Sequence, residues 1–168
     1  MKLDHKVIKE ALATGSGHMY TLSGIAVDYK DFSNTIIDLM DIARGLAGAN
    51  RFFGHTHQRF TVLEHSLIGS RLAETPELKF EALLHDAAEA YMGDMVAPLK
   101  AFFSEFKTLE ARIAGHIFDF YWPGNTLVKD GMYTRSDDML ALDEMMYICE
   151  NQQFRNNLVG QPSLPKEY

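Results

Sequence analysis

The chain has 168 residues, a formal charge of −7 and 46 % hydrophobic residues. That length and apolar content suit one domain with a sizeable core, while the acidic balance excludes a protein built to coat nucleic acid, though not one that gathers a small anion in a local cluster of Arg and Lys. The single cysteine, Cys149, excludes an intramolecular disulfide and a cysteine-based zinc ribbon.

Residues 1–15 mix charge with apolar side chains and lack the apolar core of a signal peptide, and no apolar run is long enough to span a membrane. A soluble, cytoplasmic protein is the expectation. Leu3, Val7, Ile8 and Leu12 fall at helical spacing and predict a short amphipathic helix over residues 3–13. Residues 18–33 alternate Tyr20, Leu22, Ile25 and Val27 with small or polar residues, as in a short hairpin or an irregular extended arm. Ser33 and Asn34 suit an N-cap for a well-buried helix through residues 35–50, ended by Gly48 and Asn50. Residues 50–61 are polar, aromatic and basic without a period, and read as a loop. Thr56 or Thr61 caps the next helix, which carries Val62, His65 and Gly69 on one stripe, with Leu63, Leu67 and Ile68 towards the core.

Thr75 and Pro76 start a helix predicted to run from residue 77 to about 92, stopped by Gly93. Ser104 suits the cap of a long helix over residues 105–122, with Phe106, Leu109, Ile113, Ile117 and Phe120 on its core face. Residues 123–134 read as a loop, residues 136–154 as a last helix, and residues 159–168 as an extended tail. The fold class is therefore all-α: a single domain over residues 1–168, a bundle of five to six helices.

Chemistry concentrates in residues 83–100. Leu83, Leu84, Ala87 and Ala88 mark a buried helix, yet His85, Asp86 and Glu89 lie among them. Burying charged groups costs several kcal/mol unless each is paired or bound to a metal. His65, His85, Asp86 and Asp143 are candidates for one metal site, with Asp138 the alternative to Asp143. Two imidazoles and two carboxylates suit zinc, manganese, cobalt, nickel or iron rather than calcium. Glu89, one turn after His85, suits a proton acceptor or an orienting group, and Asp94 a proton donor or a clamp on Arg51. Arg51 and Lys100 are the natural phosphate partners. Phe52 and Tyr91 are candidates to sandwich a base, with aromatic core filling the competing role for both. His55 and His57 read as loop residues or supports behind the ligands, with contact to phosphate the alternative, and His5, His18 and His116 as structural ones.

These residues carry a resemblance. His65, then His85-Asp86, then Asp143, with the stretches 41–43 (DIA), 50–52 (NRF), 54–56 (GHT), 64–66 (EHS), 85–94 (HDAAEAYMGD) and 98–100 (PLK), are similar to the HD-domain metal-dependent phosphohydrolases. The nearer branch is that of the bacterial 5'-deoxynucleotidases and the small phage enzymes related to them. The resemblance covers roughly residues 15–155. It implies an all-helical HD domain. His65, His85, Asp86 and Asp143 would hold one divalent transition metal. Arg51, Glu89 and Asp94 would be catalytic, and Arg51, Phe52 and Lys100 would contact substrate. It further implies attack of activated water on the α-phosphorus of a deoxynucleotide, with a homo-oligomer (dimer or hexamer) as the assembly. The first expectation is a dATP or dNTP triphosphohydrolase, the second a 5'-deoxynucleotidase acting on dNMPs, and the third a non-catalytic nucleotide-sensing module. Relatives often carry Trp where this chain has Phe52.

Overall fold

The computed structural model describes residues 18–56 and 58–124. The expected first and last helices, the tail, His5, His57, Asp138 and Asp143 lie outside the described residues. Among the described residues, no helix is long and apolar enough to cross a membrane.

The described chain is a helical bundle fronted by a small antiparallel hairpin. Strands β1 (His18–Tyr20) and β2 (Ala26–Asp28) pair with Met19 opposite Val27, which settles the open choice over residues 18–33 as a hairpin. Val27 is fully buried and anchors the hairpin to the bundle. A 3-10 turn, Phe32–Asn34, follows and packs Phe32 into the core.

Helix α1 spans Leu39–Gly48, shorter than the sequence suggested. Its cap is Asp38, whose side chain accepts from the Asp41 N–H at 2.9 Å, rather than Ser33 or Asn34. Ser33 and Asn34 instead turn their side chains back to Asp31. The later start leaves Ile36 and Met40 exposed and keeps Ile42 and Leu46 as the buried face.

Helix α2 spans Val62–Leu72 and begins with a capping box. Thr61 Oγ1 accepts from the Glu64 N–H, and the Glu64 carboxylate accepts from the Thr61 N–H at 2.8 Å. The stripe of Val62, His65 and Gly69 is the buried face, together with Ser66, whereas of the residues expected towards the core Leu63 and Ile68 are only half-buried and Leu67 is exposed.

Helix α3 spans Pro76–Leu84, capped by Thr75 with proline in the first turn, and α4 spans Glu89–Met92. The sequence predicted one continuous helix here. Between the two, the backbone bonds tighten to i→i+3: Ala87 N–H to Leu84, Glu89 N–H to Asp86 and Tyr91 N–H to Ala88. Leu84, Ala87 and Ala88 are buried, but Leu83 faces outward. Gly93, at φ 79°, ends α4 and returns its N–H to the Glu89 carbonyl.

Helices α5 (Ala97–Lys100) and α6 (Ser104–Tyr121) complete the described chain. Ser104 is inside α6 and bonds to the Glu105 carboxylate, so it is not the cap. Ile113, Ile117 and Phe118 form the buried face of α6, and Phe120, expected there, is exposed. The core joins the hairpin, α1, the 84–91 segment and α6. Where α1 crosses α4 the backbones nearly touch, since a Cβ on Gly45 would lie 2.6 Å from the Ala90 carbonyl oxygen. That crossing sets the loop after α1 against the segment that carries Asp86 and Glu89.

Candidate metal centre and its polar surround

The tightened 84–88 segment frees a carbonyl. An uninterrupted α-helix would give the Ala82 oxygen to the N–H of residue 86. Here it accepts from His85 Nδ1 at 2.7 Å. A carbonyl only accepts, so Nδ1 carries the proton and Nε2 is the lone-pair atom on the outer edge of the ring. His65, fully buried on α2, brings its own Nε2 to 3.1 Å from His85 Nε2. Asp86 Oδ2 lies 3.0 Å from His85 Nε2 and 3.5 Å from His65 Nε2.

These three spacings fit a shared ion. Two donors each ~2.1 Å from one metal, at tetrahedral to octahedral angles, stand about 3.0–3.4 Å apart, and only the 3.5 Å between His65 and Asp86 lies just beyond that. The chemistry of the set fits as well: two imidazoles and a carboxylate converge, with one ring already oriented by a backbone carbonyl. The group His65, His85 and Asp86 is therefore able to hold a divalent ion. The predicted fourth ligand, Asp143, lies outside the described residues, so its place is not part of this geometry. For the Asp86 carboxyl, burial acts upward, but His85, His65 and Arg51 outweigh it and hold the group well below the usual carboxylate range.

Arg51 reaches the centre from the loop after α1. The loop is closed at its base: the Arg51 N–H donates to the Phe60 carbonyl at 2.9 Å and the Val62 N–H to the Ala49 carbonyl at 3.0 Å. This closure places Arg51 beside the first turn of α2, one turn before His65. Its Nη1 lies 3.2 Å from Asp94 Oδ2 and 3.8 Å from Asp86 Oδ2. Of the two roles weighed for Asp94, the clamp on Arg51 is the one the geometry displays. Burial raises the Asp94 carboxyl, against the pull of Arg51.

Phe52 lies under the Arg51 guanidinium, 5.5 Å from cation to ring centre. The 3-10 turn Arg51–Gly54 is unusual, because Phe52 (φ 54°) and Phe53 (φ 55°) are both left-handed and precede Gly54 (φ 79°). Left-handed backbone costs a bulky residue roughly 1–2 kcal/mol. Such strain persists only where the surroundings over-determine it, and it clusters at functional sites.

Glu89 is 4 % exposed, and its Oε2 has no hydrogen-bond partner among the described residues. Burial, then repulsion from Asp86 and Asp94, pushes its carboxyl up to about 9. Lys100 Nζ lies 3.7 Å from Glu89 Oε1 but only 2.6 Å from Glu110 Oε1. Desolvation lowers the Lys100 ammonium, and the bond to Glu110 more than restores it. Lys100 thus joins the cluster through Glu89, with its charge engaged by a residue that sequence reasoning did not single out. Glu110 sits on α6, and only the packing of α5 on α6 brings it near. Tyr91 is core, 5.3 Å edge-on to Phe32, and is not a base platform. His116 packs edge-on to Phe32 and His18 pairs with Asp28, the structural roles expected.

No protein-family model matches the chain. It is similar to the uncharacterized protein YfdR of Escherichia coli strain K12, 38 % identical over 101 residues, which are 60 % of this chain and 56 % of that protein. It is also similar to the uncharacterized protein RCAP_rcc00048 of Rhodobacter capsulatus, 40 % identical over 88 residues, 48 % of this chain and 45 % of that protein. The chain spans about half the length of the curated relatives it matches.

Proposed function

We propose that the chain is an HD-domain, metal-dependent hydrolase of deoxynucleotide phosphates. The observation that carries this reading is a metal-compatible triangle, His65, His85 and Asp86, with an arginine 3.8 Å from one corner. A cation beside a metal centre matches the needs of an anionic ester, whose reaction gathers charge on phosphate oxygens. When bound there, a divalent ion supplies Lewis-acid activation of water for attack on the α-phosphorus.

The residues of the chain divide the remaining work. Arg51, steadied by Asp94, binds a phosphate oxygen and offsets the charge that grows on it. Asp94 is a positioning residue that acts through Arg51. Glu89, whose carboxyl burial and then Asp86 and Asp94 raise in the metal-free chain, would exchange a proton with the attacking water or the leaving oxygen through its unpartnered Oε2. Lys100 would reach a phosphate only by leaving Glu110, so the dATP or dNTP triphosphohydrolase form is placed ahead of dNMP hydrolysis on the resemblance to the small phage enzymes alone.

The test is a panel of dNTPs, NTPs and dNMPs with several divalent metals and identification of the product. Triphosphate release supports the first form and orthophosphate from dNMPs the second. Binding of nucleotides without turnover of any would replace both with the sensing module.

A further inference from the structure

We infer that the cleft beside the metal centre is a nucleobase site, in which the base stacks on Phe53 and accepts a hydrogen bond from the Asn50 side-chain amide. This rests on the nucleotide reading above and adds a subsite to it. The cleft has a volume of ≈ 370 Å³ and is walled by Asn50, Phe53, Met92, Asp94 and Met95 among others. That size lies within the ~300–1,000 Å³ typical of small-molecule sites.

Three observations point to a flat, acceptor-bearing ring. First, Phe53 is 56 % exposed although its backbone is held in the left-handed region. An exposed ring gives the fold little in return for that strain, which points to a ligand for the ring. Second, Met92 and Met95 line the same cleft, and thioethers adapt to the face or edge of an aromatic partner. Third, the Asn50 amide has a fixed sense. Arg59 Nε donates to Asn50 Oδ1 at 3.3 Å while Arg59 Nη2 donates to the Ala47 carbonyl at 2.8 Å. A guanidinium only donates, so the atom facing it is the oxygen. Asn50 itself lines the cleft, and Nδ2, the end of its amide that Arg59 does not engage, is the donor it has to offer. Such a group pairs with a ring nitrogen or carbonyl oxygen of a base, and not with an exocyclic amine.

The cleft also has the right neighbour. Asp94 lines it and holds Arg51, which stands 3.8 Å from Asp86. A ligand with its ring on Phe53 and its phosphate at Arg51 runs from the cleft to the metal centre.

The experiment compares the binding of deoxynucleoside 5'-monophosphates with that of deoxyribose 5-phosphate, which lacks the base, by calorimetry on the metal-loaded chain. The base is expected to add about tenfold to a hundredfold in affinity. Phe53→Gly is expected to remove most of that gain without lowering the melting temperature, because glycine accepts the left-handed backbone. Phe53→Trp is expected to keep it. Asn50→Ala is expected to flatten the ranking among bases. If the monophosphates bind and Phe53→Gly leaves the base's contribution intact, the cleft assignment is wrong while the nucleotide reading stands. If neither phosphate binds and no nucleotide is turned over, the nucleotide reading fails and the cleft assignment with it.

Discussion

His65 Nε2 and His85 Nε2 face each other at 3.1 Å, and His85 has already committed its other ring nitrogen to the Ala82 carbonyl. Two imidazole nitrogens this close, with Asp86 Oδ2 at 3.0 Å from one of them, could hold a shared cation, as the proposed function requires. Added Mn²⁺, Co²⁺ or Zn²⁺ should therefore stabilise the fold, by about 2.7 kcal/mol at a hundred times the dissociation constant. Thermal melts with and without metal check this, and Asp86→Ala should erase the gain.

Glu89 gives a pH signature in the metal-free chain. Its carboxyl is raised from the ordinary 4.5 to about 9 by burial and by Asp86 and Asp94. Between those values the folded chain binds a proton that the unfolded chain has released, so stability falls as pH rises. The contribution is complete below pH ~4.5 and is lost progressively up to ~9. Glu89→Gln should flatten this dependence and stabilise the metal-free chain by up to about 3 kcal/mol at pH 7, with little effect at pH 4. Urea titrations across that range are the check.

The crossing of α1 on α4 has no room at Gly45. A methyl there would meet the Ala90 carbonyl oxygen at 2.6 Å and the Ala90 Cβ at 2.8 Å. Gly45→Ala should cost about 1–3 kcal/mol of stability despite its better helix propensity. Gly48→Ala meets nothing within 4 Å and serves as the control in the same denaturant titrations.

On the proposed function, Arg51 would grip a phosphate through its planar fork as well as its charge. Arg51→Lys keeps the charge but loses the two-pronged geometry, and turnover should fall about tenfold to a hundredfold. Metal affinity should hold, since Arg51 is no ligand. Steady-state kinetics beside metal calorimetry separate the two effects.

The residues of the site were more legible in the sequence than its joints. The polar seam of His85, Asp86 and Glu89 in an apolar run was visible as a conflict between charge and burial, whereas His65 stood out only through its 64–66 (EHS) context. Pro76 and Thr75 marked a helix start because their chemistry is local. The break after Leu84 was not visible, because Ala87, Ala88, Glu89, Ala90 and Met92 are good helix formers and the contact of His85 with the Ala82 carbonyl, seen where the backbone tightens, leaves no mark in the sequence. The start of α1 was misplaced because Ser33 and Asn34 are good caps, but Asp31 captures their side chains first. Glu110 and the Asn50–Arg59 pair carry no sequence signal, since only tertiary packing or loop closure brings each to its partner. Phe120 is exposed and Phe118 buried, a choice of face on α6 that an apolar period alone does not fix.

The most direct test of the central claim is a metal reconstitution assay. Chelated protein is titrated with Mn²⁺ or Co²⁺ while product release from dATP and dAMP is followed, with Asp86→Ala in parallel. The account predicts that turnover returns in proportion to metal, saturates at about one ion per chain as expected for a single centre, and stays absent in Asp86→Ala. Turnover that is indifferent to metal, or a metal-loaded chain that hydrolyses neither nucleotide, would contradict it.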